Sequence, residues 1–265
     1  MLRDQARVLW NQQVAPSCYR MALSCHSSYS QADPGQFVMV RLADRRDPLL
    51  RRPFSIHSLI TENGVTIGIE LLYKVIGVGT EILSRQKAGA VVDILGPLGK
   101  GFTIPDRFQR IFIVAGGIGV APMVFLVARL RTRKADLADC KAFLGGKSKD
   151  DLLCQADLVR LGIPVHLTTD DGSCGDQCLV THPVEMDIKQ HRPEIIYACG
   201  PTAMLECVWG IAAKYGITCQ VSIEAMMACG MGACLGCAVE SRRPPGAYLH
   251  ACLDGPVFDA QTLKW

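Results

Sequence analysis

The sequence predicts a multi-domain β plus α/β protein: an N-terminal antiparallel β-barrel, an α/β domain with a parallel sheet, and a small C-terminal subdomain. Three observations predict this class. Short β-rich runs separated by turn residues fill residues 1–102, and buried strands that alternate with helical stretches fill residues 103–222. Four closely spaced cysteines then mark residues 223–265.

Composition excludes several classes of protein. The 265 residues carry a net charge of +3, which is too mild to indicate a nucleic-acid partner. The 13 cysteines are an odd number in a long apolar chain, and the N-terminal residues lack an apolar leader segment. We therefore expect reduced thiols and a cytoplasmic location rather than a disulfide scaffold.

One stretch imitates a membrane span. Residues 111–128 contain no charged side chain over eighteen positions. Gly116, Gly117, Gly119 and Pro122 interrupt its middle, which favours a buried strand, a turn and the start of a helix. We expect no membrane association.

The strands of the first domain are rich in β-branched and aromatic residues. Asn63-Gly64 between two alternating runs predicts a hairpin, and the short spacing of the strands predicts a barrel. The predicted strands are Ala6–Trp10, Cys18–Cys25, Phe37–Leu42, Phe54–Ile60 and Val65–Tyr73.

Two stretches of this domain are candidates for a diphosphate clamp. Arg52, Pro53 and Ser55 open a strand, where the Arg fork matches a pyrophosphate and the Ser hydroxyl can reach a ring heteroatom. Gly79-Thr80 opens a predicted short helix from Thr80 to Gln86, whose free N–H groups suit phosphate. The alternative is an ordinary strand start and an ordinary capped helix.

The second domain begins with a strand, a glycine-rich turn and a helix. Ile111–Ala115 is a continuous apolar run, the turn spans residues 116–122, and the helix is predicted over Met123–Arg133. Pro122 stands where the third glycine of the GxGxxG pattern would be, yet the helix N-terminus can still face a phosphate-bearing ligand.

Further βα units predict a single dinucleotide site. Ligands of open α/β sheets bind beyond the carboxyl ends of strands, where the Gly117 loop, Asp170-Asp171 and Cys199-Gly200-Pro201 all fall. This position favours a Cys199 that faces the ligand over a buried core thiol. The predicted elements are strands at Lys141–Leu144, Val165–Thr169 and Glu194–Ala198, and helices at Lys149–Leu161 and Thr202–Tyr215.

The tail cysteines have the spacing C-x4-C-x2-C followed by fourteen residues and a fourth Cys. This spacing is the plant-type ferredoxin run, so Cys229, Cys234, Cys237 and Cys252 are predicted to ligate a [2Fe–2S] cluster. A structural zinc site is the alternative, but zinc frameworks usually offer two CxxC pairs. Cys174 and Cys178 stay unassigned.

The ordered motifs resemble the ferredoxin–NADP reductase superfamily. Arg52 to Ser55, Gly79-Thr80, residues 116–122 and Cys199 to Pro201 carry this resemblance. Residues 227–237 and 252–258 narrow this resemblance to one family within the superfamily. Over residues 1–260 the chain resembles the electron-transfer subunits of NAD-dependent (class 1B) dihydroorotate dehydrogenase.

The resemblance implies a set of binding residues. FAD would lie on the barrel, NAD on the α/β domain, and the cluster on the tail. The implied cofactor-binding residues are Arg52, Pro53, Phe54, Ser55, Leu72, Tyr73, Lys74, Gly79 and Thr80 for FAD, and Gly116, Gly117, Ile118, Gly119, Ala121, Pro122, Asp170, Asp171, Cys199, Gly200 and Pro201 for NAD.

The resemblance also implies the reaction. A separate FMN-containing subunit would oxidise dihydroorotate for pyrimidine (UMP) biosynthesis, in a heterotetramer of two plus two chains. Electrons would pass through the cluster and FAD to NAD⁺, with Ser55 and Cys199 as the catalytic residues at the flavin edge and the nicotinamide. Asp170 or Asp171 would favour NAD over NADP through the ribose hydroxyls.

The sequence departs from the family pattern at two positions. Phe54 replaces the usual Ile, and Val78 replaces the usual Lys, which weakens phosphate attraction. Two other functions stay open: a reductase subunit of a hydrogenase or of a ferredoxin:NADP oxidoreductase, and a redox sensor whose cluster gates binding to another protein.

Overall fold

The computed structural model describes residues 2–42, 47–133 and 136–265. Its first domain contains the strands β1 (Leu2–Ala15), β2 (Cys18–Ser24), β3 (Phe37–Leu42), β4 (Arg52–Glu62), β5 (Val65–Lys74) and β6 (Val91–Leu98). They form a closed antiparallel barrel in the order β1-β2-β5-β4-β3-β6, which confirms the predicted architecture.

The barrel shows one confirmed turn and one strand that the sequence analysis did not assign. Asn63 (φ 49°) and Gly64 (φ 79°) join β4 to β5 in the left-handed conformation that a two-residue hairpin requires. Strand β6 was missed because Gly96-Pro97 reads as a turn. It pairs with β1 and β3 and thereby closes the barrel.

The short helix of the barrel, α1 (Val78–Ser84), begins two residues before the predicted start at Thr80. Gly77 is the N-cap, and Thr80 lies in the first turn. The Thr80 Oγ1 accepts hydrogen bonds from the N–H groups of Ile76 (3.0 Å) and Gly77 (3.2 Å). Thr80 therefore caps the start of α1 from within the first turn instead of preceding it, which explains why the helix begins two residues earlier than predicted.

The second domain is built on a seven-stranded sheet in the order β10-β9-β8-β7-β11-β12-β15. A separate hairpin, β13-β14, belongs to the tail. The strands are β7 (Ile111–Gly116), β8 (Lys141–Gly146), β9 (Val165–Thr169), β10 (Asp176–Gln177), β11 (Ile195–Cys199), β12 (Thr218–Ser222), β13 (Ala238–Glu240), β14 (Tyr248–His250) and β15 (Val257–Asp259).

Four helices pack on this sheet: α2 (Ala121–Arg133), α3 (Gln155–Arg160), α4 (Thr181–Ile188) and α5 (Thr202–Tyr215). The predicted helix over Lys149–Leu161 is wrong. Lys149–Asp151 forms a 3₁₀ turn, and α3 starts only after Cys154, whose φ of 59° is left-handed. This break lets Leu153 and Leu158 both pack into the core.

The order of the strands creates a switch point. Strand β7 pairs with β8 on one side and with β11 on the other, and all three run parallel. The turns that follow β7 and β11 therefore leave the same edge of the sheet side by side. This is the place where doubly wound folds bind ligands.

The tail is anchored to both domains. Strand β15 pairs antiparallel with β12, with Val221 opposite Phe258. On the other side, Cys237 and Cys252 pack with the barrel residues Phe37 and Met39.

None of the described helices is long and apolar enough to cross a membrane. The uncharged stretch 111–128 is instead β7, a 3₁₀ turn and the start of α2.

Candidate functional site

A groove of about 620 Å³ runs between the barrel and the α/β domain. Its barrel wall contains every residue expected to bind FAD: Arg52, Pro53, Phe54, Ser55, Leu72, Tyr73, Lys74, Gly79 and Thr80. Its opposite wall includes Ile118, Gly119, Ala121, Pro122 and Cys199. We call this space the flavin groove, because it contains the residues expected to bind FAD. Strands β4 and β5 and the start of α1 bring these residues together.

The diphosphate end of the flavin groove is assembled from β4 and α1. The Arg52 Nη1 donates to the carbonyl of Leu50 at 2.8 Å, which holds the guanidinium near the start of α1. A Cβ on Gly79 would lie 3.5 Å from the Arg52 Nε, which is an ordinary contact distance, so the guanidinium lies directly beside the first turn of α1. A cation beside a helix N-terminus fits an anionic phosphate group.

Aromatic rings form the flat part of the groove. Tyr73 stacks on Tyr19 with ring centroids 5.8 Å apart and meets Phe54 edge to face at 5.6 Å. The Tyr73 hydroxyl donates to the Asn11 Oδ1 at 3.1 Å, which fixes the ring orientation. Phe54, one of the two departures from the family pattern, therefore adds a ring contact and removes no polar group.

A second cavity, of about 580 Å³, lies at the switch point of the sheet, and we call it the nucleotide cavity. The expected residues that line it are Gly116, Gly117, Ile118, Gly119, Asp170, Gly200 and Pro201. Ala121 and Pro122 line the flavin groove instead. The two cavities share Lys74, Ile118, Gly119 and Glu224, so they meet.

The glycines at the switch point permit a close approach of two loops. A Cβ on Gly119 would lie 2.3 Å from the carbonyl oxygen of Cys199 and 2.8 Å from the Cα of Gly200. A Cβ on Gly116 would lie 2.8 Å from a ring carbon of Pro201. Only residues without a side chain allow this arrangement, which holds backbone amides near a ligand.

Cys199 lines the flavin groove but not the nucleotide cavity, and it is only 5% exposed because it packs within the hydrophobic core. Burial and then the nearby charge of Glu224 raise the pKa of the Cys199 thiol to about 12. The thiol is therefore protonated at neutral pH, so it can pack against a ring or donate a weak hydrogen bond but cannot act as a thiolate. Ser55 lines the same groove from the barrel side.

The two neighbouring aspartates behave differently. Asp170 lines the nucleotide cavity, whereas Asp171 does not. The Asp171 carboxylate accepts hydrogen bonds from the hydroxyl (2.6 Å) and N–H (2.9 Å) of Ser173, which lower its pKa. This arrangement favours Asp170 over Asp171 as the partner of a ribose.

Sequence reasoning missed several residues of these cavities. Lys147 and Asp151 line the nucleotide cavity, and Glu224 lines both cavities. Lys74 forms an ion pair with Asp151 at 3.1 Å across the domain boundary. The glycine pair before Lys147 is a visible signal, although Lys141 stands where a P-loop would have its first glycine, and no local pattern marks Glu224.

The four tail cysteines lie in two pairs. The Sγ atoms of Cys237 and Cys252 are 3.2 Å apart, and both residues are buried. Cys229 and Cys234 form the other pair, since the Cys234 N–H points at the Cys229 Sγ at 3.4 Å. The N–H of Gly232 donates to the Cys252 Sγ at 3.1 Å and links the pairs.

Backbone amides favour thiolates at this site. Burial opposes ionisation of Cys229, yet the N–H groups of Met231 and Cys234 lower its pKa to about 7. Burial and the neighbouring Cys237 sulfur raise the pKa of Cys252 to about 12, so metal is needed to hold this second pair as thiolates.

The geometry discriminates between the two metals considered. Zinc needs four ligands within one small tetrahedron, but among the described residues no three tail sulfurs have ligand atoms all within 4.8 Å of one another. Two separated pairs with N–H groups aimed at sulfur fit a cluster of two irons, each iron ligated by one pair. The residues present therefore fit [2Fe–2S].

The tail also connects the pairs to the flavin groove. Ala225 and Met227 line that groove, and both pack against the cluster of side chains that contains Cys237 and Cys252. Met227 is only two residues before Cys229. The same tail side chains would thus border both a flavin in the groove and the cysteines that would hold a cluster.

These features define a flavin-dependent reductase with an iron–sulfur domain, and comparison with known proteins agrees. Residues 224–264 match the iron–sulfur cluster binding domain of dihydroorotate dehydrogenase B, and residues 113–209 match the oxidoreductase NAD-binding domain. The fold and these matches indicate [2Fe–2S], FAD and NAD(H) as cofactors.

Several relatives that are similar along almost the whole chain are named dihydroorotate dehydrogenase B (NAD(+)), electron transfer subunit. The protein from Desulforamulus reducens is 40% identical, with 98% of this chain and 97% of the relative covered. That from Caldanaerobacter subterraneus is 38% identical, again over 98% and 97%. The chain belongs to this family of electron transfer subunits and is an oxidoreductase component.

Solved structures support the same fold. A structure of an NADH-dependent reduced ferredoxin-NADP oxidoreductase, described in terms of flavin-based electron bifurcation, has a TM-score of 0.84 and 25% identity over 99% of this chain and 90% of that chain. A Neisseria gonorrhoeae ferredoxin NADP⁺ reductase with bound FAD and NADP has a TM-score of 0.64 and 17% identity over 81% and 92%.

Proposed function

We propose that this chain passes electrons from the FMN of a catalytic partner subunit, through [2Fe–2S] and FAD, to NAD⁺ during dihydroorotate oxidation for pyrimidine biosynthesis. It works in the cytoplasm in a heterotetramer of two chains of each kind. The observation that carries the proposal is that Ala225 and Met227 both line the flavin groove and pack against the side-chain cluster that contains Cys237 and Cys252.

Each site residue has a binding or orienting role. Arg52 and the N-terminus of α1 hold the FAD diphosphate, and Tyr73 with Phe54 covers the rings. Ser55 donates its hydroxyl to the reacting edge of the flavin, and the Cys199 thiol packs where the nicotinamide enters. FAD, when bound, couples the single-electron chemistry of iron–sulfur to the two-electron chemistry of nicotinamide.

The residues proposed to bind NAD do so through backbone N–H groups and one carboxylate. The loop at Gly116–Gly119 offers N–H groups to the NAD diphosphate, and Asp170 accepts from the adenosine ribose hydroxyls. A 2′-phosphate at this position would meet the carboxylate of Asp170, so NAD is favoured over NADP.

The test combines the purified chain with its FMN-containing partner and follows orotate and NADH together. We expect Cys234→Ser to abolish NADH formation from dihydroorotate while NADH oxidation by a two-electron dye continues. Cys178→Ser, a loop thiol outside the cavities, is the matched control and keeps both activities. Survival of both activities in Cys234→Ser would place the cluster off the path.

A second function has one observation in its favour. The NADH-dependent ferredoxin-NADP oxidoreductase structure matches almost the whole chain. Reduction of ferredoxin by NADH through this chain, with no orotate formed when the partner is supplied, would establish that function instead.

A further inference from the structure

A buried histidine next to the flavin groove has an unused nitrogen. His57 is fully buried, and its Nδ1 lies 2.8 Å from the carbonyl oxygen of Ala121 in the α/β domain. A carbonyl only accepts, so Nδ1 carries the proton. The other nitrogen, Nε2, has no hydrogen-bond partner although it is buried. A neutral ring held in this way presents an unpaired lone pair.

The strand is bent at this histidine. Ile56 pairs with Leu71 and Ser58 with Glu70, so two positions of β4 oppose one of β5 and His57 is the extra residue of a bulge. Bulges re-aim side chains next to functional sites. Here the bulge directs His57 towards the α/β domain.

Two further ligand types meet His57 there. A ring nitrogen of His57, the sulfur of Cys154 and a carboxylate oxygen of Asp157 all lie within 4.8 Å of one another. No other group of three His, Cys, Asp or Glu side chains in residues 2–42, 47–133 and 136–265 meets this condition. Cys154 has a left-handed φ and interrupts the helix that was predicted over Lys149–Leu161, and this conformation brings its sulfur close to His57 and Asp157.

We propose that His57, Cys154 and Asp157 form a binding site for a Zn²⁺-like divalent cation that ties the barrel to the α/β domain. The backbone carbonyl on Nδ1 is the partner that metal-bound histidines usually have. Mixed sulfur, nitrogen and oxygen ligands suit Zn²⁺. A cleft of about 340 Å³, lined by Cys154 and Asp157, gives access and leaves room for a water as fourth ligand.

The local charges accommodate the ion. Arg20 lies 3.4 Å from Asp157 and also pairs with Glu70, and Arg160 contacts Asp157 from the surface. With Cys154 ionised, the divalent ion and Arg20 together balance Cys154, Asp157 and Glu70. Asp157 can turn from the exposed Arg160 to the ion without leaving a buried charge unpaired.

The test adds Zn²⁺ to protein that already carries FAD and its cluster, removes excess ion by desalting, and measures bound zinc. We expect one zinc per chain beyond the iron content, and at least about a tenfold weaker affinity in His57→Gln, Cys154→Ser and Asp157→Asn. His166→Gln and Cys178→Ser are matched controls, since His166 pairs with the surface residue Asp176. They keep the zinc.

Zinc-edge X-ray absorption on the unaltered protein keeps the proposal falsifiable if a variant fails to fold. One sulfur at about 2.3 Å with nitrogen and oxygen at about 2.0 Å is expected. Two or more sulfurs on the ion, no retained zinc, or equal loss of zinc in the controls would overturn the proposal.

Discussion

Replacement of Gly119 by alanine should separate the two loops that form the nucleotide cavity. The new Cβ would lie 2.3 Å from the carbonyl oxygen of Cys199, where ordinary contacts begin near 3.4 Å, so the loops must part by about 1 Å. The obstacle is backbone, which cannot rotate away as a side chain would. The φ of Gly119 is not left-handed, so the effect is steric alone.

The magnitude follows from this displacement. Overpacking of this kind costs roughly 1–3 kcal/mol, and rigid backbone places Gly119→Ala near the upper end. A shift of about 1 Å beside the reacting groups costs on the order of a hundredfold in kcat/KM. We expect this loss in NADH oxidation by a dye, together with a Tm that is several degrees lower.

The control is Gly210→Ala on helix α5. A Cβ there meets no atom within 4 Å, so the change should raise stability by about 0.5–1 kcal/mol and leave NADH oxidation unchanged. Flavin absorbance reports whether FAD is retained. An unchanged kcat/KM and Tm in Gly119→Ala would refute the assignment of the close contact.

Three further substitutions test separate parts of the molecule. Asp93→Asn should lower the free energy of unfolding by roughly 3 kcal/mol in urea, because it leaves Arg51 without its buried partner. Burial opposes ionisation of Asp93, but the neighbouring arginines lower its pKa. The stability from this ion pair is therefore present above about pH 4 and is lost as the pH falls through the lowered pKa. Gly232→Ala should reduce iron and sulfide per chain, because a side chain at its φ of 82° is strained and beside Leu253, and this displaces the Gly232 N–H that donates to the Cys252 Sγ; Gly246→Ala, with a similar φ and open space, should keep them. Glu224→Gln should slow NADH oxidation more than it changes FAD content, because Glu224 lines both cavities; equal loss of both would contradict this role.

Local sequence patterns predicted the elements whose causes are local. Asn63-Gly64 specifies its own turn, and Ile111–Ala115 specifies a strand covered on both faces. The cysteine spacing likewise predicted which four thiols the structure brings together in two neighbouring pairs. Where a pattern depends only on neighbours in the chain, the structure agrees with it.

The errors have long-range causes. Residues Lys149–Leu161 carry a helical pattern, but the burial of Leu153 and Leu158 requires the turn at Cys154. Strand β6 contains a Gly-Pro pair that would end most strands, yet the strand forms because its pairing with β1 and β3 closes the barrel.

The site was predicted unevenly for the same reason. Motifs that bind ligands through glycine loops were recognisable. Glu224 carries no local signature, because only the position of the tail places it in both cavities. Cys199 ends β11 at the edge of the sheet where a ligand was expected, but the expectation of a ligand-facing thiol instead of a core thiol was wrong in part, because Cys199 packs in the core and only one side of it reaches the flavin groove.

The strand β15 has a consequence for biogenesis. Its backbone pairs with β12 through Gln220, Val221 and Ser222, and none of these pairings involves sulfur or metal. These backbone hydrogen bonds hold the end of the tail, beyond the hairpin β13-β14, against the α/β domain without any contribution from the cluster ligands. Insertion of the cluster can thus follow the folding of the two domains.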